Sequence, residues 1–481
     1  MVFLTMHSSQ ENARFRLKPG MKLGLLVLER RQERCLDAAW AQEMRARCHA
    51  FVKALCRDEG HAMIALNGPD ERVADDRTLR ASLERARASC DVVVATQPTS
   101  ADGALAAVLA QHCALPVVFW ATPENFDVVG SPVGGISSKS LVGAQDFAAA
   151  FRRSGRADLE LVYGGQDWAR AVAQLKAALG RAYCRQVLRR AKVGVIGDAP
   201  PGETPYDGAA LSKTFAAVVE TVSLSELLGR AAGADEATIV EDRTMEHPFA
   251  NLASEPGQEA DRSNRLYVAL KSIIETENLD ALAVRCGPEI ARDYGTWPYV
   301  ALTRLADEGF PVSRDADVDA ALTMLVCKLL GCGAPLLADW LEHDAGSFMA
   351  WNAGVAPACL CVAEGGAGAP APARHFEDKV HGCVDATLEP GMDVTVARFW
   401  LLDGAYHVMV CEGKSRPPRR QLAGFSGAVD LDVLDRGGDV FDAFEAWVVD
   451  AAMPNKVVLT RGHHKQTLLK FARAHKIVVV A

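Results

Sequence analysis

The stretch GFPVSRDADVDAALTMLVCKLLGCGAPLLADWLEHDAGSFMAWNAGVAP, residues 309–357, sets two acidic positions, Asp315 and Asp339, at opposite ends of a helix-like run from Val318 to Leu330. Helix, turn and strand would return the second carboxylate beside the first, which is half of a metal site. Before this stretch the chain alternates strand and helix patterns. After it, helical periodicity fades.

Working outward toward the N-terminus, short β-branched runs alternate with amphipathic segments, the mark of a layered sheet with helices on its faces. KLGLLVLE, DVVVAT (91–96), LPVVFWA (115–121) and LELVYG read as strands, with helices over 37–55, 103–113, 140–155 and 166–190. A second strand start at AKVGVIGDAPPGETPYDG (191–208) reopens the pattern, continued by VVETV, ALAVRCGPE (281–289) and helices near 258–278, 297–308 and 318–330. On the other side, Gly and Pro thicken in AEGGAGAPAPARHFED, and DVTVARFWLL and AYHVMVCEG flank Asp403-Gly404, a two-residue hairpin turn. The fold class expected is α/β: two consecutive parallel-sheet domains, then a mainly antiparallel β domain. The boundaries expected are an arm over 1–20, an N-terminal domain over 21–190, a central domain carrying the carboxylates over 191–353, and a C-terminal domain over 354–481.

Composition narrows the function classes. With 481 residues, 49% of them hydrophobic and 23% charged, the chain exceeds one core. Its formal charge of −9 argues against general nucleic-acid binding, which needs a basic face. No apolar run reaches the ~18 residues of a bilayer span, and the first twenty residues lack the basic and apolar regions of a secretory signal. The 13 cysteines are odd in number and form no pair of CxxC units, so a disulfide scaffold or structural zinc is not expected; Cys359 and Cys361 read as apolar filler. A reduced, cytoplasmic protein is expected. There is no GxGxxG and no GxxxxGK[ST] to carry nucleotide binding. The loops over 96–103 and 122–140 follow strand ends, where ligands collect in open parallel sheets, although plain surface loops fit equally.

If Asp315, Asp339 and one of His463 and His464 converge, two carboxylates and an imidazole leave open positions on an octahedral cation, and oxygen-rich ligation favours Mn²⁺ or Mg²⁺. Such a site suits proton abstraction beside a carbonyl. An acidic residue near a helix N-terminus also serves simply as a cap, so both readings stand on spacing alone.

The segments SLVGAQDFAAAFRRSGR (140–156), AKVGVIGDAPPGETPYD (191–207), ALAVRCGPE, residues 309–357 with WNAGVAP, and RGHHKQTLLKFA (461–472) resemble, in order and spacing, the L-fucose isomerase and L-arabinose isomerase superfamily, nearest its fucose-isomerase-like branch. The resemblance implies a metal-dependent aldose–ketose isomerase working through an ene-diol, homo-oligomeric as a trimer or hexamer, with Mn²⁺ or another divalent cation such as Mg²⁺. It implies Asp315 and Asp339 as catalytic carboxylates, and Asp315, Asp339 and His464 as metal ligands. Asn352, His463, Cys286 and Trp351 fall where the substrate pocket is implied, Cys286 reading as a buried thiol rather than a nucleophile. Three departures gather there: Asp315 for the family's Glu, Asn352 for a common His, and Gly287 for a frequent aromatic. Either the substrate has changed, the lost aromatic making room, or metal affinity is lost. The alternatives are a different reaction on the same enolate, lyase or epimerase, or a non-catalytic sugar-binding protein. The basic cluster Lys414, Arg416, Arg419 and Arg420 suits a phosphate or sulfonate but also a solvated hairpin flank. Glu246 and His247 offer hydrogen bonds to a hydroxyl from a polar loop.

Overall fold

The computed structural model describes residues 20–29, 38–98, 103–122, 139–163, 168–199, 206–244, 258–432 and 439–480. Residues 1–19 of the arm, residues 99–102 and 123–138 of the two candidate loops, and Glu246 and His247 lie outside these. The described chain divides into two compact units, one over 20–189 with 473–476 and one over 190–472 with 477–480.

The first unit is built on β1 (Lys22–Val27), β2 (Ala62–Ala65), β3 (Val92–Gln97), β4 (Val117–Ala121) and β5 (Leu159–Tyr163). They form a wholly parallel sheet in the order β2-β1-β3-β4-β5. Strands buried on both faces read as continuous apolar runs, and period-2 alternation divides them between two cores. Leu26, Val93, Ala95, Val117 and Phe119 pack on one side, and Leu23, Leu25, Val94, Val118 and Trp120 on the other. Sequence pattern passes over β2 and the helix Asp76–Ser89. The helix is rich in charge but buries Leu79, Ser82, Leu83 and Ala86, one face at helical spacing, and Asp75 caps it by accepting from Thr78 N at 2.9 Å.

The second unit opens with β6 (Lys192–Ile196), β7 (Val218–Val222), β8 (Ala281–Val284) and β9 (Val312–Arg314), parallel in the order β7-β6-β8-β9. There follow β10 (Leu336–His343), β11 (Ser347–Asn352), β12 (Ala371–Arg374), β13 (His381–Thr387), β14 (Asp393–Leu402), β15 (Ala405–Arg416), β16 (Phe425–Asp432), β17 (Lys456–Arg461) and β18 (Val478–Val479). The anticipated hairpin is β14–β15, with Asp403 and Gly404 at φ 50° and 74°, the left-handed pair such a turn needs. These nine strands run β12-β13-β16-β11-β10-β17-β14-β15-β18, and an additional β16–β15 pairing closes β16, β11, β10, β17, β14 and β15 into an antiparallel ring. The sheet boundary thus falls between β9 and β10, so that β10 and β11, expected with the central domain, belong to the C-terminal sheet. One hydrophobic core runs from Ile196 and Val284 through Leu305 and Val312 to Ala338, Val396 and Leu459, joining the parallel sheet and the ring.

Candidate active site

Strand β9 ends in a charged run, Arg314-Asp315-Ala316-Asp317, that leads into the helix Val318–Leu329. Asp317, not Asp315, caps that helix: its Oδ1 accepts from Ala320 N at 2.9 Å and from Arg398 Nη2 at 2.9 Å. Burial works to raise the Asp317 pKa, but Arg398 and the cap bond outweigh it and hold the carboxyl below its ordinary value. Asp315 and Ala316 both take left-handed backbone, φ 62° and 53°. Each such non-glycine residue costs about 1–3 kcal/mol, and strain of this kind gathers at functional sites. The turn is fastened by Ala316 N donating to Val284 O at 3.0 Å and by Ser313 Oγ donating to Asp317 O at 2.7 Å.

This turn and the ring bring Asp315 and Asp339 together on shared cations. Arg314 Nη1 donates to Asp315 Oδ2 at 2.6 Å, and its Nη2 donates to Asp339 Oδ2. Lys456 Nζ lies 3.4 Å from the same Asp315 oxygen. Strand register supplies the second half, since Asp339 on β10 is the direct antiparallel partner of Lys456 on β17. The side chains of Arg314 and Lys456 are 8% and 5% exposed. Burial disfavours the guanidinium, yet Asp339 and Asp315 override it and hold its pKa above the ordinary value. For Asp339 the balance runs the other way: burial outweighs Arg314 and Lys456 and raises its carboxyl. Arg314 Nε is buried with no hydrogen-bond partner among the described residues. The cluster sits past the carboxyl end of a parallel strand, where ligands of open α/β sheets bind. Buried opposed charges of which Arg314 and Asp339 carry shifted pKa values are also what functional sites gather.

His464 is not part of this cluster. It follows β17 at the end opposite Lys456, and six strand residues separate those ends by about 17 Å. Its Nε2 lies 2.8 Å from Arg461 O, and a hydrogen bond to Cys332 raises its pKa. His463 is 59% exposed, 3.4 Å from Asp393 and 3.6 Å from Glu412. The Asn352 amide is spent on backbone, donating to Leu337 O at 2.7 Å and accepting from Gly354 N and Val355 N at 3.0 and 2.7 Å. It therefore fixes the chain after β11, a structural role in place of the pocket role implied by resemblance. Cys286 is fully buried, donates to Val284 O, and burial pushes its thiol up, so it presents no face to a ligand. Trp351 donates Nε1–H to Ala423 O at 2.8 Å and meets Phe376 edge-on.

Nor does Gly287 open space. A Cβ there would lie 2.1 Å from the Trp297 ring, which stacks on His375 at 4.0 Å and fills the volume of the missing side chain. Arg416 and Arg419 are paired with Asp430 and Asp344, and Lys414 lies 3.6 Å from Asp393, the solvated-flank reading of that cluster. Arg314, Lys456, Arg398 and Asp317 escaped sequence reasoning. The one signal for Arg314 and Asp317 is the density of RDADVD, four charged positions in six beginning at a buried strand end, which marks the turn without saying which charges face inward; nothing local singles out Arg398 or Lys456.

The donor set does not fit a divalent cation. Among the described residues no group of three or more His, Cys, Asp or Glu is arranged to hold a metal. Arg314 and Lys456 already neutralise the two carboxylates. An ion at the usual ~2.1 Å from Asp315 Oδ2 would stand within about 5 Å of the guanidinium nitrogen there, a like-charge repulsion of roughly 7 kcal/mol at an effective dielectric near 20.

Comparison with known proteins finds similarity over most of the chain. Sulfoquinovose isomerase of Alkalicoccus urumqiensis is 26% identical over 370 residues, 76% of this chain and 81% of that protein. The chain is a relative of sugar isomerases. Sulfoquinovose isomerases of Priestia aryabhattai and of Clostridium sp. (strain MSTE9) are 24% and 25% identical, covering 76% and 69% of this chain and 80% and 74% of theirs. No protein-family model matches. A solved periplasmic solute-binding protein of Actinobacillus succinogenes 130z with bound D-allose aligns over 65% of this chain and 92% of its own at 11% identity, but with a TM-score of 0.17 that carries no argument. Among the described residues no helix is long and apolar enough to cross a membrane.

Proposed function

We propose that the protein is an aldose–ketose isomerase that moves a proton between C1 and C2 of a sugar at the Arg314–Asp315–Asp339–Lys456 cluster. The observation that carries this reading is one guanidinium holding two carboxylates in a buried turn, with the ammonium of Lys456 on the same oxygen. The name borne by the relatives supports an aldose substrate and makes sulfoquinovose, a sulfonated hexose, the first to test.

In this reading Asp339 is the proton carrier. Its raised pKa brings it toward the working pH, where a carboxylate is the stronger base. It takes the C2 proton; the C2–H electron pair becomes the C1=C2 bond, and the carbonyl pair moves onto O1. Arg314, with an Nε–H that has no acceptor among the described residues, and Lys456 stabilise that negative oxygen in a water-poor site. Return of the proton to C1, with the O2 proton passing to O1, gives the ketose with no net change of charge or oxidation state. Asp315 holds both cations in place from its strained turn.

The test is to incubate the purified protein with sulfoquinovose and a panel of aldoses in D₂O and follow them by proton NMR. A ketose product with deuterium entering from solvent is the expected result. Failure of every sugar to isomerise or exchange would sink the proposal.

A further inference from the structure

The geometry points to a site in which two buried side-chain cations, Arg314 and Lys456, stand in the place of a divalent metal, so that this chain binds no such ion there and works without one. Both carboxylates that the resemblance assigns to a metal spend an oxygen on Arg314, and the Asp315 oxygen is shared with Lys456. Arginine cannot shed its proton in a protein, so no change of pH vacates the position. The groups that would complete an octahedral set are committed elsewhere: Asn352 to three backbone groups, and His464 to Arg461 O beyond the far end of β17. Two negative and two positive side chains leave the cluster neutral, and a divalent ion would leave it with two excess positive charges in a buried place.

The exchange also explains why Asp replaces Glu at 315. Here the guanidinium comes from the adjacent residue, and the short side chain of Asp315 meets it at 2.6 Å. Asp315 sits in left-handed backbone together with Ala316, and in that turn its carboxylate is held by Arg314. What the cations would do in catalysis rests on the isomerase reading; the absence of metal binding does not.

The experiment has two arms that fail separately. Elemental analysis of the full chain, dialysed after exposure to MnCl₂, is expected to find manganese far below one per chain, and the melting temperature is expected to be unchanged by MnCl₂ or EDTA. Stoichiometric manganese that disappears in Asp339→Asn would overturn the inference. In the second arm the double variant Arg314→Met with Lys456→Met leaves two uncompensated carboxylates, and its melting temperature is expected to rise with MnCl₂ concentration. Should that variant not fold, Lys456→Met alone carries the arm, with a smaller rise expected. Metal-free wild type with no isomerisation of any sugar would refute the proposed function while upholding the exchange of cations for metal.

Discussion

Replacing Lys456 with methionine keeps the apolar stem and removes only the ammonium. Its Nζ is 3.4 Å from Asp315 Oδ2, and its side chain is 5% exposed. At an effective dielectric near 20 that separation corresponds to roughly 5 kcal/mol of attraction, partly offset by the cost of desolvating the ammonium. Breaking a buried pair from one side typically costs about 3–5 kcal/mol, because the remaining charge is left uncompensated. Arg314 still serves Asp315, which places the expected loss at the lower end, about 3 kcal/mol. The assay is guanidinium unfolding followed by tryptophan fluorescence, since Trp297, Trp340, Trp351, Trp400 and Trp447 all lie in the unit that holds the site. Asp315→Asn and the double variant Lys456→Met with Asp315→Asn complete a cycle. The double variant should recover much of the loss, giving a coupling of at least about 1.5 kcal/mol, well above the ~0.5 kcal/mol within which independent sites add. A coupling indistinguishable from zero would mean that the ammonium does not neutralise Asp315, and would refute the shared-cation cluster.

Asp339→Asn should lower kcat by about 10²- to 10⁴-fold, the usual contribution of a positioned acid–base group, with a smaller effect on KM; a variant with near-normal kcat would place the proton carrier elsewhere. Asn352→Ala should lower stability by about 2 kcal/mol through three lost backbone bonds while leaving KM of the folded fraction unchanged, measured by parallel unfolding and steady-state kinetics. Burial pushes the Asp307 carboxyl up to about 7, with Oδ1 accepting from Ala358 N and Oδ2 buried with no hydrogen-bond partner among the described residues. A raised carboxylate pKa favours folding fully below the unfolded value near 4, and that contribution is lost as pH rises through about 7. Asp307→Asn should therefore flatten the pH dependence of the melting temperature between pH 4 and 8, at roughly 1.4 kcal/mol per unit removed. A mutant curve parallel to wild type would refute the assignment.

Most of the first unit is legible as pattern, because buried parallel strands are continuous apolar runs and their helices carry one apolar stripe. The strand β2 is too short and too polar at its flanks to announce itself. In the second unit, alternation and the Asp403-Gly404 turn reveal the hairpin, but ring closure by β15 with β16 depends on pairing between strands that nothing local encodes. The site divides in the same way. Asp315 and Asp339 are visible as acids flanking a helix, and the structure does bring them together. Their partners were hidden, since Arg314 looks like the polar end of a strand and Lys456 like a solvated loop lysine. Only the register of β10 against β17 shows that Lys456 faces Asp339. His464 misled because adjacency in a motif says nothing about which end of a strand it follows.

The ring closed by β15 and β16 also bears on how the gene can change. β10 and β17 each have a bonded neighbour on both sides, so neither can slide to absorb an altered length. Loss of one residue from β17 between Lys456 and Leu459 would invert the side-chain parity of everything on one side of the gap, turning Lys456 away from the face that Asp339 presents. A deletion scan should find this segment far less permissive than a substitution scan does. Through these strands, the lineage can exchange side chains far more freely than it can gain or lose codons.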